Sequence, residues 1–175
     1  MSVELVTSVT TLLKSFSSSA VTFATADNSI AATGIGTAFP AGKKINITGA
    51  TNSGNNSTFT VVTATANKVI VTETVTAESA GAAIVVNEEA QSGFKQAFPY
   101  QDLIGTVIAS QHCTVFLDFS DDKVNSFTVQ IDANSGVTIP ITPQPVLAHY
   151  VQLRVRNNGT DQTALRVQLN GRRRR

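Results

Sequence analysis

The chain is poor in sulfur and lacks tryptophan: one cysteine, one methionine and two histidines occur in 175 residues. The single cysteine, Cys113, excludes an intramolecular disulfide framework and any multi-cysteine metal site. No apolar run approaches the roughly 18 residues of a membrane-spanning helix. Stability is therefore expected to come from packing or from assembly, and we expect no membrane partner and no cofactor.

Charge is also scarce. Charged residues make up 14% of the chain, against about 25% in typical soluble domains. Threonine, alanine, asparagine, serine and valine are abundant instead, and β-branched residues favour strands. Because a monomeric enzyme in solution usually has a more highly charged surface, this composition predicts a β-rich protein whose surface is partly covered by neighbours.

The first 19 residues predict an N-terminal arm. Their apolar side chains have weak helical spacing, and the segment ends in a serine-rich stretch that is typical of a linker. The arm could pack on its own chain or reach a neighbouring subunit, and Leu5, Leu12 and Leu13 are its candidate contacts. Glu4 stands where a secretory signal peptide would have basic residues, so we expect the protein to be made and kept in a cytoplasm.

Residues 20–87 predict a small β-module, a barrel or a sandwich. Short runs of alternating apolar residues are separated by clusters of glycine, asparagine and serine, which are typical of turns. Four pairs of apolar residues each share one face of a strand: Ile45 and Ile47, Phe59 and Val61, Val69 and Val71, and Ile84 and Val86.

A polar connector, residues 87–93, separates this module from a second one at residues 94–171. We expect Glu88 and Glu89, within the connector, to be a solvated charge pair. Six further strands are predicted at residues 103–109, 114–119, 126–132, 137–141, 147–157 and 164–170. Strands at this spacing with no helical pattern between them favour an antiparallel sandwich of jelly-roll type.

Alternation within these strands separates a core face from a polar face. Apolar side chains alternate at Phe127, Val129 and Ile131, and again at Val151, Leu153 and Val155. Arg154 and Arg156 lie on the opposite, polar face, so we take them as candidate polar contacts.

The first module resembles a small β-domain that recurs in virion proteins of tailed bacteriophages. The resemblance rests on a PAGKKINITG strand at residues 40–49, an asparagine-rich turn, a TFTVV strand at residues 58–62, a VIVT strand at residues 69–72 and a closing run that contains GAAI. Such domains occur in head, tail and decoration proteins alike, so the resemblance implies a class of particle and not a position on it.

The second module resembles jelly-roll domains of phage virion proteins, through LDFSDDK at residues 117–123 and HYVQLRVRNNGTDQTALRVQL at residues 149–169. The usual Ser-x-Asp-Gly turn and its following tryptophan are replaced by Ser120-Asp121-Asp122-Lys123 and by Phe127. Because no exposed tryptophan remains to stack on a sugar, a carbohydrate-binding role is not carried over.

No pattern in the sequence indicates catalysis or a metal site. His112 and Cys113 are adjacent on a strand, so their side chains point to opposite faces, which is the wrong geometry for a nucleophile and its base. Asp118, Asp121 and Asp122 crowd one turn but lack the spacing of a calcium loop, and aspartate is an ordinary turn residue. We therefore expect no enzyme, no metal and no small-molecule substrate.

The chain closes on four arginines, Arg172, Arg173, Arg174 and Arg175. They are four of 13 basic residues, so the rest of the chain carries a net charge of −3 against 12 acidic residues. A basic tail at residues 172–175 could attach to an acidic surface such as a capsid shell or packaged DNA, or it could be a solvated terminus. Without interleaved aromatic residues it is a weak signal for nucleic acid, which we do not expect as a partner.

Together these features predict a non-enzymatic structural protein of a tailed-phage virion. The combination of an N-terminal arm, a compact β-module and a jelly roll favours a capsid decoration or cement protein, a homotrimer on the capsid surface that binds the major capsid protein and stabilises the head. The alternative is a tail, neck, baseplate or head-fibre component, either an adaptor or a receptor-binding module. A secreted adhesin or carbohydrate-binding module is disfavoured because no signal peptide is recognised.

Overall fold

A computed structural model describes residues 3–133 and 136–173, and the chain divides into two compact units. We call Met1–Leu12 with Ala90–Arg175 the sandwich unit and Leu13–Glu89 the insert unit. In chain order the elements are β1 (Val3–Val9), β2 (Ser15–Ser18), β3 (Thr22–Ala24), β4 (Ser29–Ala31), α1 (Ile35–Ala38), β5 (Lys44–Thr48), a 3₁₀ turn (Ser53–Asn55), β6 (Thr58–Thr65), β7 (Lys68–Val71), β8 (Ile84–Gln91), β9 (Lys95–Gln96), β10 (Tyr100–Ala109), β11 (Cys113–Ser120), β12 (Phe127–Ala133), β13 (Thr138–Pro145), β14 (Tyr150–Asn157) and β15 (Leu165–Arg173).

The predicted all-β fold class is confirmed. Strands account for 56% of the structure and helix for 4%, and the sheets of the described residues are antiparallel and open. No helix in this part of the chain has the length and apolar character that crossing a bilayer requires.

The sandwich unit consists of two antiparallel sheets. One has the strand order β1-β15-β10-β13, and in the other β14 pairs with β11 and β9, while β11 also pairs with β12. The chain changes sheet between β10 and β11, between β12 and β13, and at each later connection. This is the strand arrangement of a jelly-roll-like sandwich.

Alternating apolar side chains of both sheets supply the core of the sandwich unit. The most deeply buried are Leu103, Val107, Ile141, Val167 and Leu169 in the first sheet and Val115, Leu117, Val151, Leu153 and Val155 in the second. Cross-strand partners such as Val115 with Val155 and Leu117 with Leu153 lie directly opposite each other. Burying each of these side chains contributes about 1.5–3 kcal/mol relative to leaving it in water.

Alternation fails to describe β11 and β12. All eight residues of β11 are buried, including Phe116 on the polar face, because the guanidinium groups of Arg154 and Arg156 lie 4.7 and 5.1 Å from the centre of its ring. The neighbouring β12 is an edge strand, and Phe127, predicted to face the core, is 44% exposed. Long cationic side chains thus cover one strand while its outer neighbour stays open to solvent.

In the insert unit, β8, β5, β6, β7, β4 and β3 pair in that order, and β2 pairs with β8. The eight residues whose faces were predicted from alternation are all at most 3% exposed. They pack in one hydrophobic cluster with Ile35, the first residue of the short helix α1, and with Phe39, the residue that follows this helix.

The insert unit runs from Leu13 to Glu89, whereas the sequence predicted an arm that ends at residue 19 and a first module at residues 20–87. Strand β1 pairs with β15, so the start of the predicted arm is a strand of the sandwich unit. Its pairing has a bulge between Leu5 and Thr7. Thr7 and Val9 face inward while Leu5 faces out, and this phase change conceals the period of a strand in the sequence.

The insert unit enters the sandwich unit in sequence between β1 and β9, and its own two ends are tied together. Ser15 lies opposite Asn87 in the β2–β8 pair, and their side chains are hydrogen-bonded at 2.8 Å. The N–H of Glu88 also donates to the carbonyl of Lys14. Adjacent entry and exit points are the usual condition for inserting a folded unit into a loop.

Candidate functional site

Three loops of the sandwich unit expose large apolar side chains. They connect β9 to β10, β11 to β12, and β13 to β14. Phe98, Val124 and Leu147 on these loops are 60%, 81% and 57% exposed, and Phe127 follows the second loop. We define the loop surface as Phe98, Asp121, Val124, Phe127, Leu147 and His149. It holds four of the nine exposed large apolar residues found in the described part of the chain.

Two adjoining depressions shape the loop surface. One, of about 320 Å³, lies against Phe127. The other, of about 300 Å³, lies against Phe98 and His149. Asp121, Leu147 and Ala148 line both of them. The surface therefore offers two shallow hollows, each with an aromatic ring in an otherwise mixed lining, on either side of a shared wall that carries the Asp121 carboxylate.

Asp122 holds the β11–β12 loop in one conformation. Its carboxylate accepts hydrogen bonds of 2.8 Å from the N–H groups of Val124 and Asn125 and from the side-chain amide of Asn125. The two backbone donors, followed by that amide, hold the pKa of Asp122 well below its usual range. Lys123 has a φ of 65°, a left-handed conformation that is uncommon outside glycine. Val124 is thus presented at the tip of a constrained turn.

Asp121 positions the imidazole of His149. Its Oδ1 accepts from the backbone N–H of His149 at 2.9 Å and lies 2.7 Å from Nδ1 of the ring. These contacts, the backbone one first, lower the pKa of the Asp121 carboxyl. The imidazole stacks on Phe98 with ring centres 5.3 Å apart. Although both side chains are exposed, the rings of Phe98 and His149 are therefore held together as a stacked pair.

The described residues hold no group of three or more His, Cys, Asp or Glu side chains placed to bind a metal ion. The three aspartates of this region have different partners: Asp118 binds Arg154, Asp121 binds His149, and Asp122 caps its own turn. Their side chains therefore serve as turn and ion-pair residues.

Cys113 is fully buried, as predicted for a small apolar side chain. Burial, together with the nearby charge of Asp132, raises the pKa of its thiol to about 11. Because the thiolate is the reactive form, a cysteine in this environment is a poor nucleophile.

The three leucines predicted as arm contacts differ in their exposure to solvent. Leu5 and Leu12 are 58% and 47% exposed and remain available to a partner, but Leu13 is fully buried. The assignment of Leu13 as a contact is corrected on this ground, since a side chain with no exposed surface cannot meet another molecule without local unfolding.

Replacing Leu13 with alanine should therefore lower the free energy of unfolding by about 2–3 kcal/mol, because a buried leucine loses its packing and leaves a cavity. The adjacent Leu12→Ala variant is the matched control and should change it by less than about 0.5 kcal/mol. Chemical denaturation of both variants measures the difference. Equal effects would mean that Leu13 is exposed.

The predicted polar contacts are engaged within the chain. Arg154 donates through Nε and Nη2 to the buried carboxylate of Asp118, the Nη2 bond being 3.0 Å long. Arg156 stacks over Phe116. Both arginines thus cover Phe116, and Arg154 also neutralises Asp118, which explains the burial of the polar face of β11.

Arg172 and Arg173 belong to β15 and not to a separate tail. Arg172 forms a two-pronged ion pair with Asp102, at 2.5 and 2.6 Å, and Arg173 forms one with Glu4, at 3.0 Å for both bonds. Arg174 and Arg175, the remaining predicted contacts, lie outside the described residues. Two of the four terminal arginines therefore join β15 to β10 and to β1 through ion pairs.

The expectation that Glu88 and Glu89 form a solvated pair is wrong. They are 2% and 4% exposed. The carboxylate of Glu88 accepts from Nζ of Lys43 at 2.6 Å and from the N–H of Lys14 at 3.0 Å. The alternation of Ile84 and Val86, continued by one step, places Glu88 on the buried face, and this signal could have revealed it.

The loop surface itself was missed by the sequence analysis. Phe98 and Val124 fall in no predicted strand, so periodicity gives them no role. Leu147 was predicted as the first residue of the strand at residues 147–157, but β14 begins only at Tyr150, which leaves Leu147 in the preceding loop. An isolated large apolar residue in a loop was the available signal.

A comparison with protein-family models found no match, and a search of curated proteins found no significantly similar sequence.

Proposed function

We propose that this chain is a non-enzymatic structural protein of a tailed-phage virion, which decorates the capsid by binding the major capsid protein. The resemblance of its two segments to phage virion domains suggests the particle. The observation that carries a binding role is the loop surface, where Phe98, Phe127 and Leu147 border two depressions and Val124 is exposed on the β11–β12 loop. Exposed apolar patches of this kind are typical of protein contacts.

The strength of this contact can be bounded. Full burial of a valine, leucine or phenylalanine contributes about 1.5–3 kcal/mol, so covering the exposed halves of four such residues gives roughly 3–6 kcal/mol. A micromolar complex needs about 8 kcal/mol after the costs of association. One loop surface therefore binds weakly, and a homotrimer that engages several capsid subunits at once would gain the missing affinity through multivalency.

The proposal is tested by adding the purified protein to virions that lack it. We expect saturable binding and a higher temperature of DNA release, because a ligand of the intact shell stabilises it by mass action. The double variant Phe98→Ala/Leu147→Ala should bind at least about ten-fold more weakly. Val62→Ala, which removes an exposed apolar side chain of the insert unit, is the control and should bind normally. Absence of binding to the shell would refute the decoration role.

A second candidate, a tail, neck, baseplate or head-fibre component with a receptor-binding role, is favoured by one observation. The Phe98 ring is exposed, stacked on His149 and close to the Asp121 carboxylate. An aromatic face beside hydrogen-bonding groups is suited to a receptor as well as to a capsid protein. Protein located only at one vertex or on the tail would favour this candidate.

A further inference from the structure

We propose that the loop surface binds a protein segment in which an arginine or lysine lies between apolar side chains. This inference rests on the proposed function, since it specifies the chemistry of the partner at that surface. It follows from the shape of the two depressions and from the one charge on their shared wall.

The depressions define the apolar part of the partner. Each has a volume of about 300 Å³, roughly ten times the share of one water molecule in the liquid. Phe127 borders one and Phe98 the other, while Leu147 borders both. One apolar side chain of a bound segment can therefore pack on Phe127 in the first hollow and another on Phe98 in the second, with the intervening residue facing the wall between them.

Each charged side chain at the loop surface has an identified partner within the chain, except for one oxygen of Asp121. Asp122 is occupied by the donors of its own turn. The ammonium of Lys123 lies over the ring of Tyr150, 4.3 Å from its centre. Oδ1 of Asp121 faces His149. Oδ2 of Asp121 takes part in none of the hydrogen bonds found among the described residues, and this side chain is 71% exposed.

Oδ1 of Asp121 keeps its contacts to His149, but burying this surface would remove Oδ2 from water and leave that oxygen without a donor. A charge-assisted hydrogen bond from an arginine or lysine of the partner satisfies it. A second copy of the same surface would bring two Asp121 carboxylates together, and like charges oppose that contact. The geometry therefore points to a partner of a different kind with a basic residue opposite Asp121.

The experiment selects short random peptides displayed on yeast against the immobilised full-length protein. We expect enriched sequences to carry Arg or Lys flanked by apolar residues. A synthetic peptide of that type should bind wild-type protein at least ten-fold more tightly than the same peptide with norleucine in place of its basic residue. Asp121→Asn should weaken binding by a similar factor. Asp27→Asn, which alters an exposed aspartate of the insert unit, is the control and should leave binding unchanged.

Four results would overturn the inference: no enrichment over bare support, enriched peptides without a basic residue, equal affinity of the norleucine peptide, or self-association through the loop surface in light scattering. The norleucine peptide needs no change in the protein, so a misfolded variant cannot obscure the outcome. If peptides are enriched as expected but the protein is absent from capsids, the proposed function fails while the partner chemistry stands.

Discussion

Replacing Lys43 with methionine is expected to lower the free energy of unfolding by about 3–5 kcal/mol. The side chain of Glu88 is only 2% exposed and is paired with Nζ of Lys43 at 2.6 Å. Methionine keeps the length of the lysine but removes the cation, so a carboxylate is left buried without its counter-ion. Chemical denaturation at neutral pH measures the effect.

Lys68→Met is the matched control in the same unit. Lys68 pairs with Asp27, but both side chains are about 40% exposed, and an exposed pair contributes about 0–1 kcal/mol. Adding Glu88→Gln to the Lys43→Met variant should restore part of the lost stability, since the amide retains an acceptor for the N–H of Lys14. Equal losses in the two lysine variants would contradict a structural role for the pairing of Lys43 with the buried Glu88 carboxylate.

Gly49→Ala is expected to destabilise the insert unit by more than about 3 kcal/mol. Gly49 has a φ of 87°, and a Cβ added there would lie 2.2 Å from the carbonyl oxygen of Ala83. That oxygen belongs to the backbone immediately before β8, so it cannot rotate away as a flexible side chain could. Both the left-handed conformation and the clash oppose the substitution.

Gly42→Ala separates these two causes. Gly42 has nearly the same φ, 88°, but no atom lies within 4 Å of its added Cβ. We expect a loss of about 1 kcal/mol, which is the cost of the backbone conformation alone. Denaturation of the two alanine variants, with hydrogen exchange of the Ile84 amide as a local readout, gives the difference. Similar losses would show that β8 moves to accept the methyl group.

Period-2 alternation predicted the core of the insert unit because the apolar residues of its strands share the side that faces the core. Ile45 and Ile47 illustrate this, since both are fully buried and lie opposite Phe59 on β6 and Val86 on β8, which are buried too. The same rule failed on β11, where Phe116 is covered by arginines from β14. Such cover depends on which strands are neighbours, and the sequence of one strand does not contain that information.

The pairing of β1 with β15 could not be predicted for a similar reason. Val9 lies opposite Val167, and more than 150 residues separate them in the chain. Neither strand has a local signal for its partner, and the bulge near Thr7 breaks the alternation that would have identified β1 as a strand.

The loop surface follows from topology. Phe98, Val124 and Leu147 come from three connections of the jelly-roll-like sandwich, and only its strand order brings those connections together. Their exposure, and the two depressions that Phe98, Phe127 and Leu147 border, therefore become visible only in the folded chain.

Cryo-electron microscopy of the purified virion, with copy number from quantitative gel densitometry, tests the central proposal most directly. We expect hundreds of copies distributed over the capsid shell, with Phe98, Val124 and Leu147 facing the major capsid protein. A few copies confined to one vertex or to the tail would contradict it and would move the protein to the neck, tail or fibre.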